Sequence, residues 1–328
     1  MAWHYLNYLR LKPGNVNMQS SNLLIEQRAD PFIYKHDDGF YYFIASVPDY
    51  DRLELRRSKT IQGLTDAEAV AVWYKPDTGP LSELIWAPEI HFNQGAWYIY
   101  FAAAPTRETK DELFQHRMYA ISTSGANPLE AEWSEPTQIE TGIDSFCLDA
   151  TTFEHQNTLY YVWAQKDPAI PGNTNLYIAA MKDPLHIATP PVRLSVPEYE
   201  WEIRGFMVNE GPAVIVRHGR VWLSYSASAT DENYCMGLLH ADEGADLLNP
   251  SSWTKNPEPV MQSHNDKGVY GPGHNSFTVA EDGETDLLVY HARLSRVIEG
   301  DPLWNPNRHT FVKPITWRAD GFPIFGEP

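Results

Sequence analysis

One pattern recurs five times along this chain, about sixty residues apart. In each copy a polar or small residue precedes a strand-like stretch, and a short turn leads into a second stretch rich in aromatic residues. The five copies are DPFIYKHDDGFYYF from Asp30, APEIHFNQGAWYIYF from Ala87, DATTFEHQNTLYYVW from Asp149, EGPAVIVRHGRVWLSY from Glu210 and HNSFTVAEDGETDLLVY from His274. A regular period of this kind indicates a repeat architecture.

Each repeat is long enough to hold about four short strands, which is the content of one propeller blade. Turns such as HDDG, NQGA and EDGE supply the Gly or Asp that a tight hairpin requires, and helical periodicity is scarce between the strands. Five units fill the chain when Asp30, Glu89, Asp149, Glu210 and His274 are taken as equivalent positions. The sequence therefore predicts an all-β fold, a five-bladed β-propeller.

Four of these marker residues are acids. Asp30, Asp149 and Glu210 open their repeats, whereas Glu89 stands two residues into the second one. The first strand of each propeller blade lines the central channel, so residues that open these strands converge near the axis. A single Asp before a strand is ordinary turn chemistry. Three acids at repeated positions are harder to explain in that way, because clustered carboxylates repel one another and are tolerated chiefly at functional sites. We expect the three to share one site.

The charge of the chain argues against two classes of partner. It carries 43 Asp and Glu against 25 Lys and Arg, a formal net charge of -18, which repels nucleic acids and anionic membranes. No apolar run is long enough to span a bilayer. Aromatic residues make up 13% of the chain, and their flat faces suit sugars, although most aromatic side chains in a β protein fill the core.

The amino terminus lacks the apolar stretch and small-residue cleavage site of a signal peptide. Two cysteines, Cys147 and Cys235, do not suggest a disulfide framework. These features predict a cytoplasmic protein, with residues 1–21 as a loose tail and residues 22–328 as one propeller domain.

The motifs RADPFIY, SFCLDATTFEH and VNEGPAVI resemble the three acid-bearing motifs of glycoside hydrolase family 43, whose fold is a five-bladed β-propeller. The resemblance covers nearly the whole chain after about residue 22 and includes IWAPEIHF and YGPGHNSF. Within the family, YDRLELRRS, NEGPAVIVRHGRVWLSYSAS and PNRHT are similar to the α-L-arabinofuranosidase branch.

The resemblance implies hydrolysis with inversion by two carboxyl groups and a third that tunes them. Asp30 would be the general base that activates water, and Glu210 the general acid that protonates the leaving oxygen. Asp149 would orient Glu210 and raise its pKa by like-charge repulsion.

The resemblance also assigns three further residues. Trp86 would wall the pocket for the terminal sugar, against the alternative of core packing. Arg293 would pair with the site carboxylates, against the alternative of an ordinary surface ion pair. His274 would lie near a central cation such as calcium, against the alternative of a buried, satisfied histidine. Glu89 is expected to be a structural acid.

Three functions remain open at this point. The first is an exo-acting α-L-arabinofuranosidase that releases arabinose from arabino- or arabinoxylo-oligosaccharides. The second is a β-xylosidase on the same scaffold, because D-xylopyranose and L-arabinofuranose share an arrangement of hydroxyls. The third is a carbohydrate-binding propeller without catalysis, which gives no reason for three carboxylates at the channel mouth.

Overall fold

The structure of the protein, a computed structural model, describes residues 22–328, which consist almost entirely of strands, turns and loops. The prediction of a loose tail over residues 1–21 lies outside the described residues. Five antiparallel sheets follow one another along the chain, and the predicted five-bladed propeller is confirmed.

The strands are numbered in chain order from β1 (Leu23–Ile25). Blade 1 contains β2 (Ala29–Lys35), β3 (Tyr41–Ser46), β4 (Arg52–Ser58) and β5 (Val70–Tyr74), and blade 2 contains β6 (Glu83–Asn93), β7 (Ala96–Ala104), β8 (Arg117–Thr123) and β9 (Thr137–Gln138). Blade 3 contains β10 (Cys147–His155), β11 (Thr158–Gln165), β12 (Asn175–Asp183), β13 (His186–Ile187) and β14 (Val192–Ser195). Blade 4 contains β15 (Asn209–Arg217), β16 (Arg220–Ala227), β17 (Cys235–Asp242) and β18 (Thr254–Lys255), and blade 5 contains β19 (Tyr270–Val279), β20 (Asp286–Arg293) and β21 (His309–Pro314). A terminal hairpin of β22 (Thr316–Trp317) and β23 (Pro323–Ile324) and the short 3₁₀ turns Gln62–Leu64, Glu200–Glu202, Pro250–Ser252 and Asn265–Lys267 complete the elements.

The ring is closed by β1, which is the outer strand of blade 5 although it opens the described chain. It pairs antiparallel with β21, so that the sheet order is β1, β21, β20, β19. Two distant parts of the chain thus share one sheet, and β1 covers the outer edge of β21.

The second strand of each blade is buried on both faces, because neighbouring blades pack against each side of it. Trp97 in β7, Trp163 in β11 and Trp222 in β16 are completely buried at this layer. Strands covered on both faces show continuous apolar runs in place of alternation. Many aromatic residues of the sequence therefore serve the core. Within residues 22–328, no helix has the length and hydrophobicity required to cross a bilayer.

Candidate active site

The first strand of every blade contains at least one residue in the left-handed backbone region, and in each blade one such residue lies where the pairing register shifts next to the channel. These residues and their φ values are Asp30 (54°), Ala87 (44°), Asp149 (53°), Gly211 (55°) and His274 (40°). A bulge of this kind bends the strand and redirects its side chain. We call these five positions the bulge ring.

The positions of the bulge ring differ from the equivalent positions that the sequence repeat predicts in blades 2 and 4. Ala87 takes the position in blade 2 that the sequence pattern assigned to Glu89, and Gly211 takes the one assigned to Glu210. Glu89 instead contacts His91 on the same strand, with 2.8 Å between Oε2 and Nε2. It does not line the cavity that opens at the bulge ring. Its expected structural role agrees with this contact.

One cavity of about 620 Å³ opens at the bulge ring. Asp30, Asp149 and Glu210 all line it, together with His274 and Trp86. The structure therefore brings the three predicted acids, from three different blades, to a single site.

Asp30 is held as a carboxylate. Its Oδ2 accepts a hydrogen bond of 2.5 Å from the Ser46 hydroxyl, which itself accepts from the Ala87 amide at 2.8 Å. Its Oδ1 lies 3.3 Å from His274 Nδ1 and 3.5 Å from Arg308 Nη1. Burial opposes ionisation, but the combined effect of His274, Arg308 and His291 outweighs it and holds the pKa of Asp30 below its ordinary value. Because burial lowers the pKa of His274, Arg308 is the lasting positive charge at neutral pH.

The other two acids are shifted in the opposite direction. Burial, followed by repulsion from Glu210 and Asp30, raises the pKa of Asp149 well above its ordinary value, although the Gly211 amide donates to its Oδ2 at 3.0 Å. Burial and the charge of Asp30 raise the pKa of Glu210 to about 7. A hydrogen bond of 2.8 Å from the Tyr234 hydroxyl to Glu210 Oε1 opposes this rise. At neutral pH, Asp149 and Glu210 therefore hold a proton between them, whereas Asp30 is ionised.

Trp86 lines the cavity, and its predicted contact with a terminal sugar stays a prediction. Its indole stacks on His116 with 3.9 Å between ring centroids and meets Phe114 edge to face at 5.3 Å. His116 bonds the Leu84 carbonyl through Nε2, and burial lowers its pKa to about 3, so the imidazole is neutral. Trp86 and Phe114, which both line the cavity, therefore form an uncharged aromatic surface, and His116 stacks on Trp86.

Arg293 does not form the predicted pair with the site carboxylates. Its guanidinium donates to Asn305 Oδ1 at 2.7 Å and to the Pro302 carbonyl at 3.0 Å, and so supports the loop that lines one side of the cavity. The reason is that groups of the loop between β20 and β21 take up its guanidinium, whereas Arg308, at the other end of that loop, reaches Asp30. Arg308 takes the predicted part beside Asp30, and its Nη2 also donates to the Tyr50 hydroxyl at 3.0 Å.

His274 lies between two acids, with its Nδ1 3.3 Å from Asp30 Oδ1 and 3.6 Å from Asp149 Oδ2. In the part of the chain that the structure describes, no three His, Cys, Asp or Glu side chains are arranged to hold a metal ion. Calcium takes six to eight oxygen ligands, and a histidine side chain supplies none. The calcium site at His274 stays a prediction.

Comparison with known proteins identifies the group to which this site belongs. The model of glycosyl hydrolases family 43 matches residues 21–323. The chain belongs to glycosyl hydrolase family 43. The resemblance seen in the three acid motifs is thereby confirmed.

Three relatives within this family are closely similar to the chain. An extracellular exo-α-(1→5)-L-arabinofuranosidase of Streptomyces avermitilis is 51% identical over 96% of this chain and 65% of its own length. Alpha-L-arabinofuranosidase 43 of Humicola insolens is 51% identical over 94% of this chain and 63% of its own length. The crystal structure of an α-L-arabinofuranosidase from Lactobacillus brevis is 59% identical, with a TM-score of 0.91 over 93% of this chain and 95% of that one. The chain thus spans slightly less than two thirds of the first two relatives.

These family members correct one prediction. The name of the Streptomyces avermitilis relative describes that protein as extracellular, so the predicted cytoplasmic location is wrong. That prediction depended on the lack of a recognisable signal peptide, and the lack of one motif does not define a compartment.

Proposed function

We propose that this chain is an exo-acting α-L-arabinofuranosidase that hydrolyses arabino- or arabinoxylo-oligosaccharides with inversion. The observation that carries the proposal is the pairing, in one cavity, of an ionised Asp30 with a Glu210 whose pKa is raised to about 7. A base that is ionised and an acid that is protonated at the same pH are what this hydrolysis requires. The names of the family relatives support arabinofuranose as the sugar.

The reaction divides between the two acids. Asp30 accepts a proton from water as the water oxygen attacks the anomeric carbon. Glu210 gives its proton to the glycosidic oxygen as the bond from that oxygen to the anomeric carbon breaks. Arg308 keeps Asp30 ionised, and the repulsion between Asp149 and Glu210 keeps a proton available to the leaving group.

The test is the turnover of p-nitrophenyl α-L-arabinofuranoside beside that of the β-D-xyloside, with proton NMR of the first-formed sugar. We expect preferred hydrolysis of the arabinofuranoside and a β-configured arabinose as the first product. Preference for the xyloside would indicate the β-xylosidase alternative, and binding without turnover the non-catalytic one. An α-configured first product would mean retention and would contradict the role of Asp30.

The substitution Asp149→Asn should shift the pH dependence of hydrolysis. Activity requires a protonated Glu210 and falls as the pH rises through the pKa of about 7. Mutual repulsion makes the last proton of the pair leave at a higher pH than it would from Glu210 alone. Removal of the Asp149 charge should therefore move the alkaline limb of kcat/KM to lower pH, by about one unit.

The matched control for this shift is Asp286→Asn. Asp286 is a buried acid of blade 5 that accepts hydrogen bonds from Arg217, and it does not line the cavity. This control should leave the alkaline limb in place. An Asp149→Asn profile that coincides with the parent profile would contradict the tuning role.

A further inference from the structure

Tyr234 connects the two halves of the proposed reaction centre. It lies just before β17, lines the cavity and is 1% exposed. Its hydroxyl donates to Glu210 Oε1 at 2.8 Å, and its ring stacks on His291 at 5.6 Å with an interplanar angle of 4°. His291 Nδ1 in turn accepts from the Asp30 amide at 3.0 Å and lies 3.3 Å from Asp30 Oδ1. One aromatic pair thus bridges the base and the acid.

Two glycines of the YGPG segment in β19 make room for Tyr234. A Cβ at Gly273 would lie 2.2 Å from Tyr234 Cε1, and a Cβ at Gly271 would lie 2.3 Å from the Asp231 carbonyl oxygen that precedes this tyrosine in the loop. Side chains at either position would displace the ring or its loop. The backbone of blade 5 therefore fixes where the Tyr234 hydroxyl stands relative to blade 4.

We propose that Tyr234 is a positioning residue for the proton donor Glu210. The inference rests on the proposed function and adds a residue to it. A hydroxyl that donates to Oε1 leaves Oε2 as the oxygen that carries the proton to the leaving group. After transfer, the same hydrogen bond stabilises the carboxylate that forms, and bonds to an ionised acceptor are stronger than neutral ones.

Several charges act on the pair of Tyr234 and Glu210. The titratable and charged groups around it are Asp30, Asp149, His274, His291 and Arg308. The negative charge of Asp30 favours a protonated Glu210, whereas Tyr234 and Arg308 favour its ionised form, and the repulsion between Glu210 and Asp149 favours one proton on that pair. Tyr234 therefore limits the rise that burial and these charges cause in the Glu210 pKa.

The experiment is the substitution Tyr234→Phe, which removes the hydroxyl and keeps the ring and its stacking. We expect an about 10- to 100-fold loss of kcat on an arabino-oligosaccharide and a much smaller loss on a dinitrophenyl arabinofuranoside, because only a poor leaving group needs the placed proton. The alkaline limb of kcat/KM should move to higher pH, by about one unit. This direction is opposite to that expected for Asp149→Asn.

The matched control is Tyr225→Phe. Tyr225 is a buried tyrosine of the same blade whose hydroxyl donates to Glu202 Oε1 at 2.9 Å, and neither residue lines the cavity. Loss of this bond should lower thermal stability without a shift of the alkaline limb. If Tyr234→Phe shows the control pattern, or equal losses on both substrates, the positioning role is overturned. If the parent protein does not hydrolyse arabinofuranosides at all, the proposed function fails instead.

Discussion

Replacement of Asp30 by alanine should lower hydrolysis by about 10²- to 10⁴-fold on every arabinofuranoside, whatever the leaving group. The reason is that the water nucleophile loses its base, and a better leaving group does not deprotonate water. The Ser46 hydroxyl that donates to Asp30 at 2.5 Å remains, but it lacks the charge needed to accept a proton at neutral pH. Kinetics on an oligosaccharide and on a dinitrophenyl arabinofuranoside provide the measurement.

Azide adds a second readout to this experiment. It needs no deprotonation, so it should partly restore turnover of the Asp30→Ala variant and give the β-configured arabinofuranosyl azide. Glu89→Gln is a suitable control, because Glu89 is also a buried acid on the first strand of a blade but contacts His91 outside the cavity. A loss in Asp30→Ala that shrinks with a better leaving group would show that Asp30 is not the base.

Replacement of Glu210 by alanine should have an effect that depends on the leaving group. An oligosaccharide leaves as an alkoxide unless it is protonated, so its hydrolysis should fall by about 10²- to 10⁴-fold. Dinitrophenolate is stable without a proton, so hydrolysis of its arabinofuranoside should be largely retained. The alkaline limb of the pH profile should also disappear for this substrate, because the group with the pKa of about 7 is gone.

Glu202→Gln separates this result from general damage to blade 4. Glu202 lies eight residues before Glu210 in the chain, is completely buried, and accepts hydrogen bonds from Tyr225 and from Asn209, the residue next to Glu210. Its replacement should cost stability without any dependence on the leaving group. Equal losses of Glu210→Ala on both substrates would assign the proton donor elsewhere.

The fold was accessible from the sequence because each blade repeats a hairpin and a buried aromatic strand. The alignment within the repeat was not, because a bulge absorbs extra residues without any fixed sequence signature. Glu89 and Glu210 were matched to Asp30 and Asp149 as acids, whereas the backbone equivalents are Ala87 and Gly211.

The three acids of the site were predictable because their motifs repeat along the chain, but their partners were not. Arg293 ends β20 and Arg308 precedes β21, and the fold of the loop between them, which has no sequence signature, decides which of the two reaches Asp30. Tyr234 lies in an irregular loop with no motif of its own. Gly271 and Gly273 are the sequence signal for it, because they leave space for a large side chain. That signal can be interpreted only once the neighbouring residue is known from the structure.

The backbone conformations of the bulge ring lower the stability of the fold at the positions that hold the reactive side chains. Asp30, Ala87, Asp149 and His274 hold left-handed backbone conformations that cost roughly 1 kcal/mol or more each for residues with a Cβ. The reaction centre therefore opposes folding, and the packing of the blades must compensate for it. Glycine at Asp30 or Asp149 would relieve strain while removing the chemistry, so the most robust versions of this propeller need not be the most active ones.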